Sequence, residues 1–145
     1  MKNLLSNKYF LFLVRITLAF IFIYAGATKI SDPEGFALSI SNYRLLPVSL
    51  LNFLAITLPW IEIITAILLV FGIAVKENSA IIFSMLFIFT IAIGVSLLRG
   101  LNIDCGCFGK GTQIGLLKLG ENILMIIGSV LLIAFGSDLI LLKSD

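Results

Sequence analysis

The only two cysteines of the chain, Cys105 and Cys107, stand one glycine apart in the stretch N-I-D-C-G-C-F-G-K-G, residues 102–111. Two thiols at that spacing can pair with each other only if the backbone folds sharply. Extended, their Cα atoms lie roughly 6.5–7 Å apart, at the upper edge of the usual disulfide range of about 4.4–6.8 Å. Gly106 makes the bend cheaper. The small ring that results is strained, and strained, exposed disulfides have oxidising potentials and exchange readily. A structural staple gains its effect by closing a long loop, and this one would close almost nothing. Cys105 and Cys107 are therefore the candidate catalytic pair, suited to passing electrons by thiol–disulfide exchange. The plainer reading is two inert thiols in a loop. Asp104 disfavours a thiolate beside it and Lys110 would favour one, so the attacking sulfur stays open.

Other chemistries fit less well. Zinc takes four ligands, and the chain offers two thiols and no histidine. No metal site is expected. Gly109-Lys110-Gly111-Thr112 resembles the end of a phosphate-binding loop, but Asp104 stands where that motif needs a glycine. With a net charge of +2 and no basic block, nucleic acid is not an expected partner.

Two charges lie inside apolar runs, Arg15 and Glu62. A charge in hydrocarbon costs roughly 2.5–3.5 kcal/mol on insertion scales and calls for a partner or a function. Arg15 is about 9 Å into the first run and Glu62 about 18 Å into the second, from the opposite end. In antiparallel helices these depths place the two nearly level, so an Arg15–Glu62 ion pair is expected. It could serve packing alone. It could also form part of a quinone head-group pocket, with Pro59 freeing a backbone carbonyl beside it and Trp60 offering a ring to stack on, although aromatic side chains in a bundle more often serve packing. Lys29 falls at the end of the first run, on the side of the thiols, where it could simply anchor at the interface.

The elements that position these groups follow from composition. Of 145 residues, 60% are hydrophobic and 12% charged, and mean hydropathy is +1.17. A soluble domain carries about twice that share of charge. Four apolar runs, approximately 9–29, 50–74, 79–98 and 117–137, each approach the ~20 residues needed to cross a bilayer as a helix. The expected fold is an all-α membrane protein, one domain over 1–145, built as a four-transmembrane-helix bundle. Asp32-Pro33-Glu34 is a helix start. Phe36, Ile40 and Tyr43 follow on one face and Pro47 ends the segment, giving a short interfacial helix between spans one and two. The thiol loop is 99–116. A cleaved signal peptide ending near Ala25-Gly26-Ala27 is the rival reading of the first run, but Thr28-Lys29-Ile30 continue the helix. Basic residues number four on one side and five on the other, which leaves orientation open.

These residues together resemble the DoxX-like family, and within it the branch of the methylamine-utilisation protein MauE. The resemblance rests on Arg15, Ala25-Gly26, Lys29, Asp32-Pro33, Phe36, Tyr43, Pro47, Leu58-Pro59, Glu62 and Arg99-Gly100. The string Asp104-Cys105-Gly106-Cys107-Phe108-Gly109 is its specific part. It covers about Arg15 to Gly109 and is thin in the last helix. It implies a bacterial inner-membrane protein that helps form or maintain disulfides in an exported partner. The architecture is also similar to DsbB and vitamin K epoxide reductase, which move electrons from thiols to quinone. Those carry two cysteine pairs and this chain has one. The expected activity is electron exchange between the Cys105–Cys107 loop, held on the extracytoplasmic side, and a thioredoxin-like protein or exported client, with a quinone as one conceivable acceptor. The alternative is a non-catalytic membrane subunit or assembly factor for a redox enzyme.

Overall fold

The computed structural model describes residues 7–103 and 114–135. Cys105, Gly106 and Cys107 lie outside the described residues. Those described form five helices: α1 (Lys8–Ser31), α2 (Pro33–Asn42), α3 (Val48–Val70), α4 (Val75–Leu98) and α5 (Leu116–Phe135). Four of them, α1, α3, α4 and α5, are long and apolar enough to cross a membrane. No strand occurs among the described residues. In each spanning stretch only 17–39% of residues are buried, so most of the apolar surface, Phe20, Phe53, Trp60 and Ile88 included, faces outward. An apolar exterior is stable in lipid, where each helix satisfies its own backbone groups. The chain is a multi-pass membrane protein.

Among the spanning helices, α1 packs on α3 and α5 while α4 packs on α5 and α3. The shared core joins Leu11, Leu18 and Phe22 of α1, Ala66 and Leu69 of α3, Ile82 and Met85 of α4, and Leu132 of α5. Gly26 governs how closely α1 meets α3. A Cβ there would stand 2.6 Å from Ile63 Cγ1 and 3.0 Å from the Pro59 carbonyl oxygen.

Local signals set the ends. Asp32 Oδ1 accepts a hydrogen bond from Gly35 N at 3.0 Å, with Pro33 in the first turn, as the sequence leads one to expect. Pro47 precedes α3. The α3–α4 turn is tighter than the apolar pattern implied: α4 starts at Val75, not near 79, and α3 stops at Val70. Asn78 explains this by donating to Ile73 O at 2.8 Å and Ala74 O at 3.1 Å, so the polar residues 76–79 form a first helical turn rather than a loop. α4 ends on Gly100, whose φ is +70°. Leu101 N bonds Ser96 O and Gly100 N bonds Leu97 O, both at 3.0 Å, the paired capping pattern that left-handed glycine permits.

The short helix α2 does not stand apart from the bundle. Phe36 and Ile40 pack against Leu51 and Ala55 of α3, with Phe89 beside them.

Replacing Gly26 with alanine is expected to push α1 off α3 and destabilise the bundle by about 1–3 kcal/mol, read as a lower melting temperature by circular dichroism in micelles. Adding Ile63→Ala should recover part of the loss but not all, because the Pro59 carbonyl stays in place.

Candidate functional site

The structure assigns Glu62 a different partner from the one its depth in the sequence implied. Lys29 Nζ donates to Glu62 Oε1 at 2.7 Å and to Oε2 at 2.9 Å, and both side chains are almost fully buried. Arg15 lies fourteen residues earlier on α1, about 21 Å along the axis, too far to share that carboxylate. It is fully buried, and its guanidinium stands 5.0 Å from the Phe12 ring centroid. The expected Arg15–Glu62 pair is thus corrected to Lys29–Glu62, and Lys29 is a core residue rather than an interface anchor.

The reason is stagger. Glu62 comes fourteen residues after Val48, where α3 starts, whereas Lys29 is two residues from Ser31, where α1 ends. At their common level α3 therefore overhangs α1 by twelve residues, about 18 Å. The ends of the apolar runs are not level, and a depth count that assumes they are brings the wrong cation to Glu62. The overhang is covered by α2, which folds back from Asp32 along the start of α3.

Aromatic faces complete the surroundings of the ammonium. Lys29 Nζ is 5.3 Å from the Phe36 ring centroid and 5.8 Å from that of Phe89. Pro59 lies one turn before Glu62 on the face toward α1, buried and touching Gly26. Trp60 points outward, 54% exposed, so it is not positioned to stack on anything held beside Glu62.

Above this pair, α2, α3 and α4 enclose an apolar cleft of about 380 Å³, lined by Ile40, Tyr43, Leu54, Leu58, Met85 and Phe89 among others. Tyr43 connects this cleft to the root of the thiol loop. Tyr43 is buried with Ile93 and Ile114, and Arg99 Nη1 donates to Tyr43 O at 3.3 Å. Ile114 N donates to Ile103 O at 3.0 Å, so the segment 104–113 that carries Cys105, Gly106 and Cys107 leaves and re-enters at one point. Burial pushes the Tyr43 hydroxyl up to about 12.

Chemically the described residues offer a charge-neutral buried ion pair, an apolar cleft and a pinched loop root. They hold no cluster of three or more metal-ligating side chains. The sequence did not point to Asn122, which is 2% exposed and lines a small pocket with Lys29 and Glu62; an asparagine near the start of an apolar run looks like an interfacial residue.

The family described as methylamine utilisation protein MauE matches residues 7–135. The chain belongs to the MauE family. It is 32% identical over 114 residues to the methylamine utilization protein MauE of Paracoccus denitrificans, covering 78% of this chain and 61% of that protein. To the MauE of Methylorubrum extorquens it is 32% identical over 126 residues, covering 85% and 65%. To that of Methylophilus methylotrophus it is 30% identical over 115 residues, covering 78% and 60%. The chain thus spans about three-fifths of the length of these MauE relatives. No solved structure matches it.

Two outcomes test the site. Lys29→Met should cost about 3–5 kcal/mol by stranding the Glu62 carboxylate, while the double variant Lys29→Met/Glu62→Met should recover most of it, measured as unfolding free energies in lipid-matched detergent. Tyr43 should titrate near pH 12 in a Tyr9→Phe/Tyr24→Phe background, followed by absorbance at 295 nm. Its folded pKa is above the ordinary value of about 10, so stability should be level below pH 10 and fall between pH 10 and 12.

Proposed function

We propose that this MauE-family chain is a thiol–disulfide exchange protein of the bacterial inner membrane, with Cys105 and Cys107 on the extracytoplasmic face. The wider DoxX-like kinship is part of the same reading. One observation carries it: the hydrogen bond between Ile114 and Ile103, braced by Tyr43 and Arg99. It roots the thiol segment on a rigid base at one end of the bundle. Reactive groups belong on loops held by a rigid scaffold. In the reaction, the disulfide of Cys105 and Cys107 accepts two electrons from a partner's dithiol. The partner leaves with a disulfide and the loop with two thiols. A thioredoxin-like protein or an exported client supplies the dithiol, and oxidising surroundings favour the loop's position.

The reduced loop needs an acceptor, and a quinone is the second substrate in this reading. Two electrons and two protons pass from the dithiol to the quinone, leaving disulfide and quinol. The cleft below Tyr43 supports it. Its volume of about 380 Å³ lies within the usual range for small-molecule sites, its lining is apolar, and it shares Met85 and Phe89 with the pocket of Lys29 and Glu62. Of the two charged residues first connected with a quinone, Glu62 lies beneath the cleft and Arg15 lies far from it. The methylamine-utilisation system named for the relatives is the proposed setting.

A membrane-impermeant maleimide applied to intact cells should label Cys105 and Cys107 only after reduction. Cys107→Ser should trap a mixed disulfide through Cys105, or Cys105→Ser through Cys107, and mass spectrometry then names the partner. Unchanged disulfide content of exported proteins in the Cys105→Ser/Cys107→Ser variant would overturn the exchange reading and leave an assembly role.

A further inference from the structure

A second, smaller cavity of the bundle lies beside the ion pair. It is a pocket of about 30 Å³ where α1, α3, α4 and α5 meet, bounded by Phe22, Lys29, Glu62, Met85 and Asn122 among others. One water needs roughly 10–15 Å³ of such space, so the pocket has room for about two waters and no larger ligand. Its walls are not inert. The side-chain nitrogen of Asn122 is buried with no hydrogen-bond partner among the described residues. A buried amide left in that state costs about 1–3 kcal/mol. Glu62 takes two hydrogen bonds from Lys29, whereas a carboxylate has about four acceptor positions.

These groups specify what fits. The occupant must accept from the Asn122 amide and donate to the Glu62 carboxylate. It must be uncharged, because Lys29 and Glu62 already balance each other. It must be no larger than a few tens of cubic ångströms. A halide can only accept and would add an uncompensated charge. A lipid methyl group does neither job.

We propose that this pocket is a water-binding and proton-exchange site in the core of the bundle. The water accepts from Asn122 Nδ2 and donates to Glu62. It also gives the pair a second proton route besides the direct contact. A proton leaving the Lys29 ammonium passes to the water, which hands one of its own to the Glu62 carboxylate. The pair becomes amine and carboxylic acid, the water is restored, and the net charge of the pair stays zero. The site stands independently of the redox reading, since it needs neither thiol nor quinone.

The test compares two phenylalanines of equal burial. Phe22, 5% exposed, lines the pocket, and Phe36, 4% exposed, does not. Radiolytic footprinting of the full chain in nanodiscs, in ¹⁸O-water, should hydroxylate Phe22 at least about fivefold faster than Phe36, because an ordered water lies against it. Asn122→Leu, close to it in volume and apolar, should bring Phe22 down to the level of Phe36. Equal labelling of the two rings in the native chain overturns the water site, whether or not the variant folds. Labelling that persists unchanged in folded Asn122→Leu removes Asn122 from it. With ¹⁵N-lysine in the native chain, Lys29 Nζ should show an exchange cross-peak to water. Its absence beside a positive footprint overturns the proton exchange and leaves a structural water.

Discussion

A lysine and a glutamate taken out of water together govern the rest of this structure. Each ion alone would be prohibitive in the core, and even the pair repays its desolvation only when the geometry is good and the remaining hydrogen-bonding capacity is met. Lys29 and Glu62 meet at 2.7 and 2.9 Å, with two aromatic rings facing the ammonium. That requirement fixes the register of α1 against α3, because a slip of one turn would move the charges about 5.4 Å apart along the axis. Gly26 and Pro59, each about one turn from its charged neighbour, let the two backbones approach closely enough for the contact to form.

Fixing that register has consequences at the thiol end. α3 overhangs α1, and the overhang must be covered. The chain covers it by ending α1 at Ser31, using Asp32 to cap the next helix, and laying Phe36 and Ile40 on Leu51 and Ala55. The end of α2 then delivers Tyr43 to Ile93 and Ile114, and its carbonyl to Arg99. The pair, α2, the cleft and the loop root thus form one continuous packing. The residues on either side of the thiol segment, Ile103 and Ile114, meet at a hydrogen bond on that packing.

How much of this could be read from residues alone follows the kind of signal each element leaves. Long apolar runs announce the four spanning helices, and Asp32-Pro33-Glu34 announces α2, because hydropathy and capping act locally. The buried pairing does not act locally. Choosing between Arg15 and Lys29 as the partner of Glu62 needs the stagger of two helices, and the stagger depends on α2 filling the overhang. The start of α4 was obscured in the same way: Lys76, Glu77 and Asn78 look like loop residues until Asn78 is seen clamping Ile73 and Ala74. Asn122 and Trp60 mark the same limit from two sides. A single polar residue in an apolar run carries no mark of the face it occupies, and an aromatic residue in a membrane helix is as stable against lipid as against a ligand.

Where the thiol segment is anchored bears on the proposed chemistry. Cys105 and Cys107 can close a ring only through a bend at Gly106, and the strain of that ring is useful only if the surroundings do not relax to relieve it. A loop anchored on a floppy interfacial segment would dissipate the strain. Ile103 and Ile114, on either side of residues 104–113, are joined by a hydrogen bond and packed with Tyr43 and Ile93, which is the anchoring that the proposed exchange requires. The buried charges set the helix register on which that anchoring is built. For this reason the register of α1 on α3 and the meeting of Ile103 with Ile114 are two consequences of one packing arrangement.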